Sequence, residues 1–261
     1  MLPEVRAIGL ALEESVRMYV EGKSVAIAFS GGLDSGLIAS IAMKYADGVS
    51  LYTVGTEDSY DLRMSRAMTK DLGLPLNEIR LDKEMVIDDL IQMFNIAGTR
   101  DRLTLSFETP LFNVCKKCKE DMILVGQGAD ELFAGYAKYV GLGHQELRDR
   151  LDLDFEKLMT VNLAHEAKVA RHFGKRICYP YLDATVVMRT KSLPIEMMAP
   201  MDMESRKMVL REIATGMGFE EVAKMRKKAA QYGSGTSRLV EEIVASATAL
   251  EHLPFLFPRD V

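Results

Sequence analysis

Two aspartates stand beside glycines in loops that each follow a short apolar run. Asp34 lies in Ser30-Gly31-Gly32-Leu33-Asp34-Ser35, after Val25 to Phe29, and Asp130 lies in Gly126-Gln127-Gly128-Ala129-Asp130-Glu131, after Met122 to Val125. Glycines let a turn expose consecutive backbone N–H groups, and a helix opening behind the turn adds the positive end of its dipole, so each loop can hold an anion. A carboxylate placed there repels a phosphate unless a divalent cation stands between them, and Mg2+ is usually held by one or two carboxylates plus substrate phosphates. The chemistry this points to is metal-bridged phosphate binding. No lysine follows the glycines of the first loop, so it is not a Walker loop. For either loop alone the plainer reading stays open: acidic residues capping an ordinary helix N-terminus.

The elements that must carry these loops follow from the apolar pattern. Residues 25–29, 49–54, 77–81 and 122–125 read as strands, and residues 4–21, 36–45, 59–72, 83–97 and 109–121 as helices. Strands alternating with helices at this spacing predict an α/β fold, a parallel, doubly wound, Rossmann-like sheet with right-handed crossovers. Ligands of such sheets lie at the carboxyl ends of the strands, so the loops after Phe29, Val54 and Val125 should converge. Beyond residue 143 the pattern is mainly helical, with helices expected at 154–172, 184–191, 205–217 and 236–250. A single domain over residues 1–261 is expected, its nucleotide-binding part about 20–142 and its helical part about 143–261.

Composition narrows the class. The chain has 261 residues, 48% of them hydrophobic, enough for a large core. With 33 Lys+Arg against 38 Asp+Glu the net charge is −5, which argues against a nucleic acid as the main ligand. No apolar stretch approaches membrane-spanning length and no repeat is present, so a cytoplasmic protein without membrane association is expected, with a homo-oligomer among its options. Three cysteines do not describe a disulfide framework.

The first loop resembles the pyrophosphate loop of the N-type ATP pyrophosphatases, which split ATP between the α and β phosphates. The second is similar to the synthetase domain of class B asparagine synthetases, whose usual run is Gly-Glu-Gly-Ala-Asp-Glu, an apolar pair and Gly-Gly-Tyr. Tyr52-Thr53-Val54-Gly55, Ser59-Tyr60-Asp61, Thr109-Pro110-Leu111, Tyr179 to Asp183, Lys207 to Arg211 and Arg226-Lys227-Lys228 continue the match in order over roughly residues 20–240. The resemblance implies an AMP-forming ligase that adenylates a small carboxylate, aspartate foremost, and passes it to ammonia. It implies ATP and Mg2+ as cofactors. Ser30, Gly31, Gly32, Leu33, Asp34 and Ser35 would bind pyrophosphate, Asp34 and Asp130 the metal, and backbone near Val54, Val125 and Gly126 the adenine. Lys228 would stabilise charge at the reacting centre, Lys207 and Arg211 would meet phosphate or substrate carboxylate, and Glu131 and Asp183 would orient a substrate amino group.

Three departures qualify this. The chain begins Met1-Leu2, so no cysteine nucleophile is in place for glutamine hydrolysis, and nitrogen is expected from free ammonia or a separate glutaminase subunit. Gln127 stands where the family usually has a glutamate for proton handling, and an amide cannot serve as a general base. Cys115, Cys118 and Cys178 allow an iron–sulfur site of the kind found in tRNA-thiolating relatives, or Cys115 and Cys118 pack on one face of the 109–121 helix as small apolar residues. Sulfur transfer, or a non-catalytic ATP-binding subunit beside a glutaminase, are therefore the alternatives.

Overall fold

A computed structural model describes residues 1–225, 233–246, 253 and 256. Its centre is a five-stranded sheet, β1 (Ser24–Ala28), β2 (Gly48–Gly55), β3 (Leu76–Arg80), β4 (Met122–Leu124) and β5 (Arg176–Cys178). All neighbours are parallel and the order is β3-β2-β1-β4-β5. The chain runs outward from β1 to β3, then returns to the other side of β1 to add β4 and β5. The order therefore reverses between β1 and β4, the crevice where open α/β sheets bind ligands.

Helices cover both faces, as the near-continuous apolar strands require. One face carries α1 (Pro3–Val20) and α2 (Leu33–Ala42), whose Val5, Ile8, Leu12, Val16, Leu37 and Ile41 share a core layer with Val25, Ile27 and Leu51. Each such side chain contributes about 1.5–3 kcal/mol of gross burial energy, set against its ordering entropy. The other face carries α4 (Lys83–Ala97), α5 (Arg102–Lys117), α8 (Leu163–His172) and α12 (Thr236–Val244).

Local signals account for many boundaries. Helix α3 (Tyr60–Leu72) starts where the Ser59 hydroxyl accepts from the Leu62 N–H and stops at left-handed Gly73. Helix α4 starts at Asp82, whose carboxylate accepts from the Met85 N–H, and stops at left-handed Gly98. The fold departs from the sequence reading elsewhere. Helix α2 starts at Leu33, not residue 36, so Asp34 and Ser35 are already in its first turn. Helix α5 starts at Arg102, capped by Asp101, and carries Pro110 in its interior rather than at its start. Proline leaves the carbonyl four residues back without its helical donor. Here that carbonyl, Ser106 O, accepts from the buried Thr236 hydroxyl at 2.8 Å. Strand β5 lies outside the strands that the apolar pattern predicts, being three residues long and opening on a charge. Helix α7 (His144–Lys157) begins ten residues before the expected start and runs through a π-helical turn, Leu158–Asn162, into α8.

After β5 come α9 (Ala184–Lys191), α10 (Met208–Gly216) and the short α11 (Glu220–Ala223). The expected helix 236–250 ends at Val244, with Ala245 and Ser246 in a turn, and residues 247–250 lie outside those described. No helix among the described residues is long and apolar enough to cross a membrane.

Candidate active site

At the carboxyl edge of the sheet lies a cavity of about 790 Å³. Its walls come from β1 and its loop (Phe29, Ser30, Asp34, Ser35), from β2 (Tyr52, Val54) and from the loop after β4 (Gly126, Gln127, Gly128, Asp130, Glu131). Helix α5 adds Phe107, Leu111 and Val114. The π-helical turn adds Leu158 and Asn162.

The two aspartates meet at one point. Lys207, immediately before α10, sends a wholly buried side chain between them, its Nζ 2.6 Å from both Asp34 oxygens and 2.8 Å from Asp130 Oδ1. The approach depends on Gly135, where a Cβ would stand 1.9 Å from Asp130 Oδ1 and 2.1 Å from Lys207 Cε. Beneath it, the fully buried Tyr181 hydroxyl donates to the Asp34 carbonyl at 3.0 Å. Lys207 and Ala134 are the two non-glycine residues with positive φ among those described, at 60° and 50°. Left-handed backbone costs such residues about 1–2 kcal/mol and collects where surroundings fix a functional geometry.

The first loop divides its duties. Ser30 and Ser35 face the cavity, with the Ser30 N–H donating to Ser35 Oγ at 3.3 Å. Gly31 (φ 68°) instead packs on α3, where a Cβ would come within 2.5 Å of the Ser65 amide nitrogen. Gly32 caps α2 and Leu33 enters the core. Val54 and Gly126 line the cavity, whereas Val125 is buried behind it.

Glu131 is nearly buried on the cavity wall and accepts from the Tyr136 hydroxyl at 2.6 Å. Burial, with Asp130 next to it, holds its carboxyl above the usual carboxylate range. Nearby, Lys138 pairs with Asp154 at 2.6 Å, and the Tyr139 hydroxyl donates to the same carboxylate. Asp61, Tyr136, Lys138, Asp154, Lys157 and Arg206 all line the cavity without having been singled out for it from the sequence. Of these, Asp61 lies in the run Ser59-Tyr60-Asp61 that the resemblance includes, without a role assigned to it.

Two expected residues serve other purposes. Asp183 caps α9, accepting from the Thr185 and Val186 N–H groups. Arg211 does not line the cavity; its guanidinium donates to the carbonyls of Ala223 and Met225. Lys228 lies outside the described residues. The cysteines separate, with Cys115 and Cys118 in the core layer under α5 and Cys178 in the layer on the other face. All three are buried, which pushes their thiols up to about 12, 11 and 11 respectively. Neutral thiols on opposite sides of a sheet do not form a shared ligand set.

This arrangement accompanies a clear kinship. The family model for asparagine synthase matches residues 7–142 and 140–256. The chain belongs to the asparagine synthase family. A putative glutamine-hydrolyzing asparagine synthetase from Methanocaldococcus jannaschii is 31% identical over 89% of this chain and 50% of its own length. Asparagine synthetase B of Escherichia coli K12 is 26% identical over 95% of this chain and 49% of its own. The chain thus spans about half the length of the curated relatives it matches. An NMN synthetase structure from Francisella tularensis overlaps it with a TM-score of 0.44 at 13% identity, covering 97% of this chain and 91% of that one, too loose a likeness to argue from.

Proposed function

We propose that this chain activates a small carboxylic acid, aspartate foremost, with ATP and transfers the acyl group to ammonia. A carboxylate oxygen attacks the α-phosphorus, the bond to the β-phosphate bridging oxygen breaks, and pyrophosphate leaves. Ammonia then bonds to the acyl carbon, the bond from that carbon to the AMP oxygen breaks, and the nitrogen releases one proton to solvent as AMP departs. The observation carrying this reading is the convergence of Asp34 and Asp130, from loops on separate strands, onto the single buried ammonium of Lys207 at the cavity edge.

The donor set fits Mg2+. Two carboxylates already gathered on one cation, with no third His, Cys, Asp or Glu completing a cage among the described residues, suit an ion that keeps positions for phosphate and water. Asp34 and Asp130 would hold it, and it would neutralise phosphate charge and polarise the phosphoryl oxygens. Lys207 would add positive charge there, beside the Ser30 and Ser35 hydroxyls. Tyr52, Val54, Leu111 and Val114 form an apolar wall suited to a flat base such as adenine. Glu131, Tyr136, Lys138 and Asp154 form a polar wall with both charge signs, suited to a zwitterionic amino acid. Lys228 would meet the oxyanion that develops as the bonds exchange.

The nitrogen would arrive as ammonia or from a glutaminase. Gln127, which cannot titrate, motivates a second reading, an ATP-binding subunit without catalysis. Acid-dependent exchange of pyrophosphate into ATP separates the two. The ligase reading expects exchange with aspartate and ammonium-dependent AMP release; formation of ADP and phosphate, or no exchange with any of the twenty common amino acids, overturns it.

A further inference from the structure

Gln127 does not stand alone on the cavity wall. Its Nε2 donates to Glu166 Oε1 at 2.9 Å, and the second oxygen of Glu166 accepts from the Tyr179 hydroxyl at 2.8 Å. Glu166 sits on α8 with 2% exposure, behind Gln127 and out of the cavity lining. When Glu166 is ionised it only accepts hydrogen bonds, and the amide then keeps its NH2 toward Glu166, the orientation seen here. Its carbonyl oxygen is then the end left for the cavity. A negative charge behind the NH2 also polarises the amide, making that oxygen a stronger acceptor.

We propose that Glu166 is a positioning residue that fixes Gln127 with its carbonyl oxygen toward the cavity, where that oxygen accepts an N–H hydrogen bond from the nitrogen nucleophile. This rests on the amidation reading above. A nitrogen gains positive charge as it bonds to the acyl carbon, and a polarised carbonyl oxygen backed by a carboxylate favours that charge without taking a proton. The pair thus orients ammonia while leaving its deprotonation to another group.

The charges around Glu166 bear on the test. Burial pushes Glu166 up to about 7, against the hydrogen bonds from Tyr179 and Gln127, while Glu131 in the loop after β4 pushes it further up. Glu108 on α5 feels the Glu166 charge and is itself pushed up to about 8, mainly by burial. Cys115 on α5 and Tyr179 beside β5 also feel that charge, and both are held neutral by burial. Glu108 contacts the neighbouring His165, whose ring is held below its usual range by burial. When Glu166 is protonated its O–H can donate to the amide oxygen, which releases Gln127 to turn over.

The experiment uses the 15N-labelled chain, with the Gln127 side-chain NH2 signals assigned by their loss in Gln127→Met. Those signals should move with a midpoint near that of Glu166, and the movement should vanish in Glu166→Gln, a substitution that keeps shape and hydrogen-bonding capacity. In turnover, Glu166→Gln should raise the ammonium KM about tenfold, the scale of one charge-assisted hydrogen bond, while pyrophosphate exchange persists. Gln127→Met should raise the same KM. Gln127 signals that do not titrate overturn the lock. Exchange in both proteins with equal ammonium KM overturns the nucleophile contact alone. Absence of exchange in the unsubstituted protein overturns the ligase reading and that contact together, and leaves the lock to be decided by the titration.

Discussion

Replacing Lys207 with methionine tests the centre of the site. Methionine keeps most of the stem's volume but removes the ammonium that lies 2.6 Å from both Asp34 oxygens and 2.8 Å from Asp130 Oδ1. The lysine side chain is wholly buried and both aspartate side chains are 15% exposed, so solvent replaces little of the lost interaction. Taking one partner from a buried ion cluster costs about 3–5 kcal/mol. For a chain of this size each kcal/mol moves the melting temperature by about 2–4 °C, so the variant should melt roughly 6–20 °C lower. Melting curves by circular dichroism, with and without millimolar MgCl2, provide the assay. A divalent ion can take the place of the lost ammonium between the carboxylates, so Mg2+ should restore part of the loss in Lys207→Met and do little for the unsubstituted protein. A variant that melts with the unsubstituted protein would refute the buried bridge. Identical responses of both proteins to Mg2+ would refute the two aspartates as a joint cation site.

Glu108 is held up to about 8, first by burial and then by Glu166. The folded chain therefore keeps a proton on it between its ordinary value and 8, and stability falls as pH rises through that window. Glu108→Gln should flatten this dependence by a few kcal/mol in urea titrations at pH 5 and pH 8, and an unchanged slope counts against it. Gly31→Ala should cost more than about 2 kcal/mol, since it adds a left-handed alanine to a clash with the α3 backbone; a stability equal to the unsubstituted chain would count against that packing. Thr236→Val should cost about 1–3 kcal/mol by removing the donor to Ser106 O at Pro110, read by the denaturation midpoint. Lys228→Ala should still bind ATP by calorimetry yet lose pyrophosphate exchange by about 100-fold or more.

The sheet was legible because its strands are apolar and its helices carry their own punctuation. Helix α4, between the Asp82 cap and Gly98, has the bounds the sequence predicts. Helix α5 was misread for a reason that cannot be local. A proline normally marks a helix start, and the group that rescues Pro110 is Thr236, more than a hundred residues away in the chain. The loop residues at Asp34 and Asp130 stand out by their glycines and charges, whereas Lys207 is named only by the resemblance, as a phosphate or carboxylate contact and not as the cation that joins them. Lys207 follows Arg206 directly before an amphipathic helix, and nothing in its neighbours announces a left-handed backbone or a buried ammonium. Glu166 was equally silent, a charged residue on a polar helix whose burial depends on α5, β5 and the β4 loop packing around it.

The corner at residue 207 sets two demands against each other. Its backbone shape is one that glycine adopts freely, so by local preference alone glycine would suit this position better by about 1 kcal/mol. A glycine there would relax the main chain and empty the space between the carboxylates in the same stroke. Substitutions chosen on backbone preference alone would therefore be drawn to this position, where the lost ion pairs outweigh the relaxed main chain and the site goes with them.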